Sequence, residues 1–338
     1  MTAPKLKGKQ TVAFATPPVI VGFGSVVGPM EAQGPLGSCF HKILKDTLDG
    51  EQTWEKTESK MLKDAVKMVI AQAQLTDKDI NYLLAGDLLN QIISTNYAAR
   101  DVSVPLIGLY GACSTMALGL ALGSMLIDGG YGDRVVAAAS SHHDTAERQF
   151  RFPTELGSQR QMYAQWTVTG AGATLLAKQG YGVKVTHATM GKIVDLGVCD
   201  VNNMGAAMAP AITDTIISHF KDLAIDESAY DLVISGDLGQ VGLDISKDLL
   251  RQAGYQLDKK FTDCGVLIYD PNQDTHAGGS GCGCSAVVIN SHIMQELLAG
   301  RLRRVLFVGS GALMSSTSCA QGESIPAIGH AVVLEAPA

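Results

Sequence analysis

The chain presents one run of elements twice, and that duplication restricts its fold more than any other feature. Ile80-Asn81-Tyr82-Leu83-Leu84-Ala85-Gly86-Asp87-Leu88 is an apolar, strand-like run ending in Gly-Asp-Leu, and the run from Asp231 to Leu238 ends the same way. An amphipathic helix precedes each. Leu62, Val66, Val69 and Ala73 share a face in the first, and Ile212 to Phe220 carry the second. Further on, Ala112-Cys113-Ser114 opens an apolar helix that closes at Asp128-Gly129-Gly130, and Arg134-Val135-Val136 begins a buried strand. Gly283-Cys284-Ser285, Ala299-Gly300 and Arg304-Val305-Leu306 repeat that order. Cys113 and Arg134 are 21 residues apart, and Cys284 and Arg304 are 20 apart.

Each half therefore reads strand–helix–strand–helix–strand, and its strands are continuous apolar runs. Such strands are buried on both faces, as in a sheet covered by helices. The expected fold is α/β, with two duplicated mixed-sheet halves sharing helices in a five-layered α-β-α-β-α stack. The halves are assigned to residues 1–180 and 181–338, joined near Gly180 and Gly182. A chain of 338 residues, 46% hydrophobic and 17% charged, has the apolar material for so large a core. Its 37 glycines suit tight strand-to-helix turns.

Several function classes fall away. The net charge is −7 and the lysines and arginines are scattered, so no nucleic-acid footprint is expected. No charged-then-apolar signal opens the chain, and export is not indicated. The most apolar stretch, Ala112 to Ile127, is too short to span a bilayer and is broken by Ser114, Gly119, Gly123 and Ser124. It reads as a buried core helix. The seven cysteines lack regular spacing, and Cys282-Gly283-Cys284 has no second ligand pair at zinc-site distance, so no metal centre is expected. Reduced, buried thiols are the expectation.

Gly111-Ala112-Cys113-Ser114-Thr115 resembles the nucleophile turn of the thiolases and of the third-type ketoacyl-acyl-carrier-protein synthases. Val168-Thr169-Gly170-Ala171-Gly172-Ala173 and Ser310-Gly311-Ala312-Leu313 are similar to that superfamily's strand entry and C-terminal glycine loop. The resemblance covers nearly the whole chain. A narrower one lies in Leu84 to Gln91, in Thr145 to Arg151 and in Ala277 to Cys282, which resemble a stage V sporulation family of spore-forming bacteria. It implies a protein that binds pyridine-2,6-dicarboxylate (dipicolinic acid), free or as its calcium chelate. It further implies membrane-embedded partner subunits and a peripheral place at the spore inner membrane. The wider resemblance implies a homodimer in which the strand from Arg134 to Ala139 pairs with its twofold mate.

A condensing enzyme of this superfamily needs a helix-terminal cysteine and two further groups that complete an oxyanion hole. Cys113 has the helix N-terminus, which lowers a thiol pKa and favours anions. The histidine expected after the second-half strand falls on Gly236-Asp237, and no histidine lies between His219 and His276. Gly278-Gly279-Ser280-Gly281 stands where the synthases carry asparagine. His276 matches the thiolase histidine in part, while Cys319 lacks the context of its acid/base. The catalytic set therefore reads as dismantled, with a ligand site at Cys113, Asp87, His142, His143, Asp237, Gly279, Ser280 and Cys282. Plainer roles stand beside these. Cys113 has the alternative of a core thiol, Asp87 and Asp237 that of helix caps, and His142 and His143 that of surface or dimer contacts. Gly279 to Gly281 form either a packing turn or a backbone anion nest. The rivals are an acyl-transferring enzyme built on Cys113, His276 and Asp237, and a structural subunit with a vestigial pocket.

Overall fold

The computed structural model describes residues 5–150 and 160–337. Arg151 lies outside them. In the first half β1 (Val19–Val27) leads to α1 (Trp54–Gln72), β2 (Tyr82–Gly86), α2 (Ile93–Val102) and β3 (Leu106–Gly108). Then follow α3 (Thr115–Asp128), β4 (Arg134–Ser141), α4 (His143–Phe150) and β5 (Gly170–Ala177). The second half runs β6 (Val183–Thr189), α5 (Met204–Leu223), β7 (Leu232–Ser235), α6 (Gly239–Gln252) and β8 (Phe261–Asp263). It ends with α7 (Cys282–Val288), β9 (Arg304–Ala312) and β10 (Ala327–Glu335).

Strand order is β3-β2-β4-β5-β1 in one half and β8-β7-β9-β10-β6 in the other, the same order twice. In each, the three strands farthest from the joint run parallel, and the fourth in the row is antiparallel to both neighbours. The halves meet edge to edge through a short pairing of Val183 with Ile20 and Lys184 with Val19. Helices α1 and α2 cover the outside of the first half, and α5 and α6 that of the second, while α3 touches strands of both. These are the five layers.

Local chemistry explains the helices that matter. Thr53 Oγ1 accepts the Lys56 N–H and caps α1, whose inner face buries Met61, Leu62, Val66 and Val69. Helix α3 is apolar nearly all round, because it lies between the two halves of the sheet. Met116, Leu120 and Ile127 are buried there, each stabilising by about 1.5–3 kcal/mol. A side chain at Gly123 would stand 2.9 Å from Leu176, so the close helix-to-strand approach depends on glycine.

Three expectations need correction. The second core helix starts at Cys282, two residues before Cys284, and Ile289–Ile293 forms a π-helical turn within it before Met294–Leu298. Asn290 holds that turn. Its amide donates to the Ala286 carbonyl at 2.9 Å, and its oxygen accepts from the Thr174 hydroxyl. Ser310 to Ala312 end β9 and are not a loop. The strand expected to meet a twofold mate, β4, is interior, paired with β2 on one side and β5 on the other. Its small apolar residues reflect that burial, and the free edges are β3 and β8.

Candidate functional site

The two core helices begin against each other's half. A side chain at Gly311 would stand 2.4 Å from the Gly111 carbonyl, and one at Gly309 3.2 Å from Ser114. Glycines therefore let the end of β9 abut the start of α3. Ala112 takes a left-handed φ of 47°, a local strain of order 1–3 kcal/mol, to turn the chain into Cys113. The thiol is 6% exposed. It faces the Asp237 carboxyl and the Gly281 amide.

Asp237 is the centre of this arrangement. Ser310 Oγ donates to its Oδ1 at 2.6 Å, and the Gly281 N–H to its Oδ2 at 2.8 Å. Its own N–H donates to Ser310 Oγ at 2.8 Å. Burial pushes the acid up to about 8, against the pull of the Ser310 and Cys113 hydrogen bonds. Burial, and then the Asp237 charge, hold the Cys113 thiol well above its ordinary range. The thiolate that a nucleophile needs is disfavoured, so desolvation and a carboxylate outweigh the helix terminus. The amides at that terminus are also occupied. Ser114 N–H donates to the Gly111 carbonyl at 3.0 Å and Thr115 N–H to that of Ala112 at 3.2 Å.

Above the thiol opens a narrow cleft that continues to solvent. Leu88, Phe150, Met204 and Met314 form apolar walls, and Ala112, Ala146 and Ala312 leave room between them. Polar residues are few along its lining: Cys113, Tyr110, Thr167, Ser280 and Glu147. Among the described lining residues there is no lysine, arginine or histidine.

The residues singled out from the sequence divide accordingly. Cys113 and Ser280 line the cleft, with Asp237 directly behind Cys113. Asp237 does not cap α6, since Asp263 accepts the Leu238 and Gly239 N–H groups at 2.8 and 3.0 Å. Asp87 is a cap. Its Oδ1 accepts Leu89 N–H at 2.8 Å, and its Oδ2 accepts both the N–H and hydroxyl of Thr95 at 2.7 Å, away from the cleft. The expected backbone nest is not free, because Gly279 and Ser280 pair with Trp166 and Thr167 and the Gly281 amide serves Asp237. Cys282 donates its thiol to the Ser140 carbonyl at 2.8 Å, within the core.

None of the histidines considered reaches the cleft. His142 is buried, with Nε2 2.8 Å from the Thr47 carbonyl and Nδ1 accepting Asp144 N–H at 3.3 Å. His143 stacks on Trp166 at 3.7 Å and 7°, and Arg160 also lies over that ring. His276 sits against the Gln161 carbonyl at 2.8 Å and Asp274 at 3.1 Å.

The reading from sequence missed Tyr110, Glu147, Met204 and Met314. Ala146, Glu147 and Phe150 recur at helical spacing, a pattern that places them on one face of α4. Met204 and Met314 carry no such signal, because only tertiary packing brings them over Cys113.

The comparisons with known proteins accord with this architecture. Residues 8–335 match the family model described as stage V sporulation protein AD. Stage V sporulation protein AD of Bacillus subtilis is 48% identical over 331 residues, covering 98% of each chain. Among solved structures, 3-oxoacyl-[acyl-carrier-protein] synthase III from Aquifex aeolicus aligns with a TM-score of 0.60 at 12% identity, covering 94% of this chain and 99% of that one. A variant of OleA from Xanthomonas campestris aligns at 0.59 and 12%, with coverage of 95% and 97%. The distant structures establish the thiolase-like fold, and by the two sequence matches the chain belongs to the stage V sporulation protein AD family.

Proposed function

We propose that this sporulation protein is a non-catalytic binder of dipicolinate, free or as its calcium chelate, supporting uptake of that acid into the developing spore. Its partners would be membrane-embedded subunits at the spore inner membrane. The observation that carries the reading is the surroundings of Cys113. A buried carboxyl, a serine and a backbone amide occupy the place where acyl transfer needs an imidazole, and the thiol is held protonated. Removing a single oxyanion donor costs about a hundredfold or more in rate. Apolar walls with Tyr110, Thr167, Ser280 and Cys113 among the lining residues support an aromatic acid as the class of ligand.

Charge favours the chelate. Asp237 lies directly behind Cys113, and where it is ionised two unit charges at about 4 Å repel by several kcal/mol at intermediate dielectric. A dianion suffers that repulsion, whereas a one-to-one calcium chelate is neutral and its metal accepts carboxylate oxygen. Calorimetric titration tests this. Saturable dipicolinate binding is expected, tightened by calcium, with no labelling of Cys113 by radioactive acyl-coenzyme A. Labelling without dipicolinate binding would establish the acyl-transfer enzyme instead. The absence of both would leave the structural subunit.

A homodimer belongs to the same reading, and the edge strand β3 is the place for it. Ile107 on β3 is 37% exposed, and Ile93, Tyr97 and Tyr110 add exposed apolar surface beside it. An uncovered apolar edge of this kind is an aggregation hazard unless paired. Ile107→Lys should convert a dimer into a monomer in sedimentation velocity. A wild-type chain that sediments as a monomer at micromolar concentration overturns the dimer.

A further inference from the structure

The acid behind Cys113 is placed so that either of its charge states is satisfied. Asp237 is fully buried, and a side chain at the preceding Gly236 would stand 2.9 Å from the Ser310 amide nitrogen, so the turn after β7 is pressed against β9. Ser310 Oγ meets its Oδ1 and the Gly281 N–H meets its Oδ2. A hydroxyl has one donor and two acceptor lone pairs. Ser310 therefore donates to the carboxylate and, once Asp237 is protonated, can turn to accept from it. The Asp237 N–H stays on the same hydroxyl oxygen at 2.8 Å. The proton can come and go without moving the backbone.

Its surroundings are acidic. Among the described residues, the titratable groups set against Asp237 are Cys113 at the start of α3, Asp263 at the end of β8, Cys264 next to it, and Cys282 and Cys284 on α7. Burial holds all four thiols well above their ordinary range, so they stay neutral and none supplies a positive charge. The cleft lining adds Glu147 and Tyr110, whose hydroxyl burial pushes up to about 12. A ligand carboxylate resting against Cys113 would meet Asp237 across a single thiol. Negative charge on both sides is unfavourable, and a proton on the acid or a metal on the ligand removes it.

We propose that Asp237 selects the charge form of the ligand, accepting the free dianion when it carries a proton and the neutral calcium chelate in either state. The inference rests on the proposed binding of dipicolinate and deepens it. The folded-state acid titrates at about 8. Above that pH the free protein holds it ionised, and binding of the dianion draws one proton from solvent onto the carboxylate. Well below it the proton is already in place, and none is taken up. Coupling is reciprocal, so the dianion's affinity falls as pH rises through 8. The chelate brings no net charge, and its affinity should stay level.

Calorimetric titration of the full chain with dipicolinate across this pH range decides it, with and without excess calcium. Each titration is run in two buffers of different ionisation enthalpy, which counts the protons taken up. Between about pH 7 and pH 9 the free dianion should lose about tenfold in affinity, with uptake rising towards one proton per site. With calcium both changes should vanish, so calcium tightens binding most at the alkaline end. In Asp237→Asn the charge cannot form, and the proton uptake and the pH trend should disappear together. Level affinity without proton uptake in the wild type overturns the proposal, whether or not that variant folds. So does uptake that persists in Asp237→Asn, which would assign the proton to Glu147 or another acid. Failure to bind dipicolinate in either form overturns the proposed function and this inference with it, whereas binding that ignores pH overturns this inference alone.

Discussion

Ala312→Phe should abolish dipicolinate binding without unfolding the protein. Ala312 is the last residue of β9, and its small side chain leaves part of the cleft open. A benzyl group there would occupy the space assigned to the ligand ring. Losing that ring's burial and contacts amounts to about 3 kcal/mol or more, which is a hundredfold in affinity. The cost to the fold is smaller, about 1–3 kcal/mol, because the new group extends toward space and not into close-packed atoms. Cys113→Trp is a poorer test, since that side chain points at Asp237 and Gly281 and the indole would be forced into the core. Calorimetry should show no heat of binding for Ala312→Phe, with an unfolding temperature within a few degrees of wild type. Normal affinity in that variant would mean the ligand binds elsewhere.

The duplication is what made the fold legible. Buried strands write themselves as apolar runs, and the Gly-Asp-Leu endings and Cys-to-Arg spacings recur because both halves solve the same packing problem. The same logic misled on β4. Small apolar residues at 134–139 say that a strand is buried, but not whether a neighbouring strand or a second copy buries it. The site was legible only where chemistry is local. Cys113 follows from the turn that starts α3, and Asp237 from its place after β7. The two aspartates hold equivalent positions in the echo yet play different parts. Asp87 turns to Thr95 and caps a helix, while Asp237 turns to Ser310 and Cys113. That difference is set by Asp263, which takes the capping duty beside α6. No spacing records it, nor the convergence of Met204, Met314 and Glu147 over the thiol.

Asp237 governs the pH dependence of stability, and Asp237→Asn should expose it. The folded-state acid titrates at about 8, against an ordinary aspartate value of 3.8. The native state thus holds this proton more tightly than the unfolded chain. Its contribution is complete below pH 4 and is lost as pH rises through 8. At about 1.4 kcal/mol per unit, the change across that window is on the order of several kcal/mol. Asp263, pushed up to about 6 by burial, adds a smaller loss over the lower part of the same range. Buried His219 and His330, lowered to about 3 and about 4, act in the opposite sense. Their native state resists protonation, so their contribution is present above 6.5 and falls away in acid. Wild-type stability should therefore peak between the two regimes. The amide of Asp237→Asn does not titrate, keeps an oxygen for the Gly281 N–H and leaves the histidine and Asp263 effects in place. Relative to that variant, the wild type should lose on the order of 5–10 °C of unfolding temperature between about pH 5 and pH 8. Parallel profiles would mean that Ser310, Gly281 and Cys113 hold the carboxylate ionised throughout. In that case the charge facing Cys113 is permanent, and the thiol is kept protonated at every pH the protein tolerates.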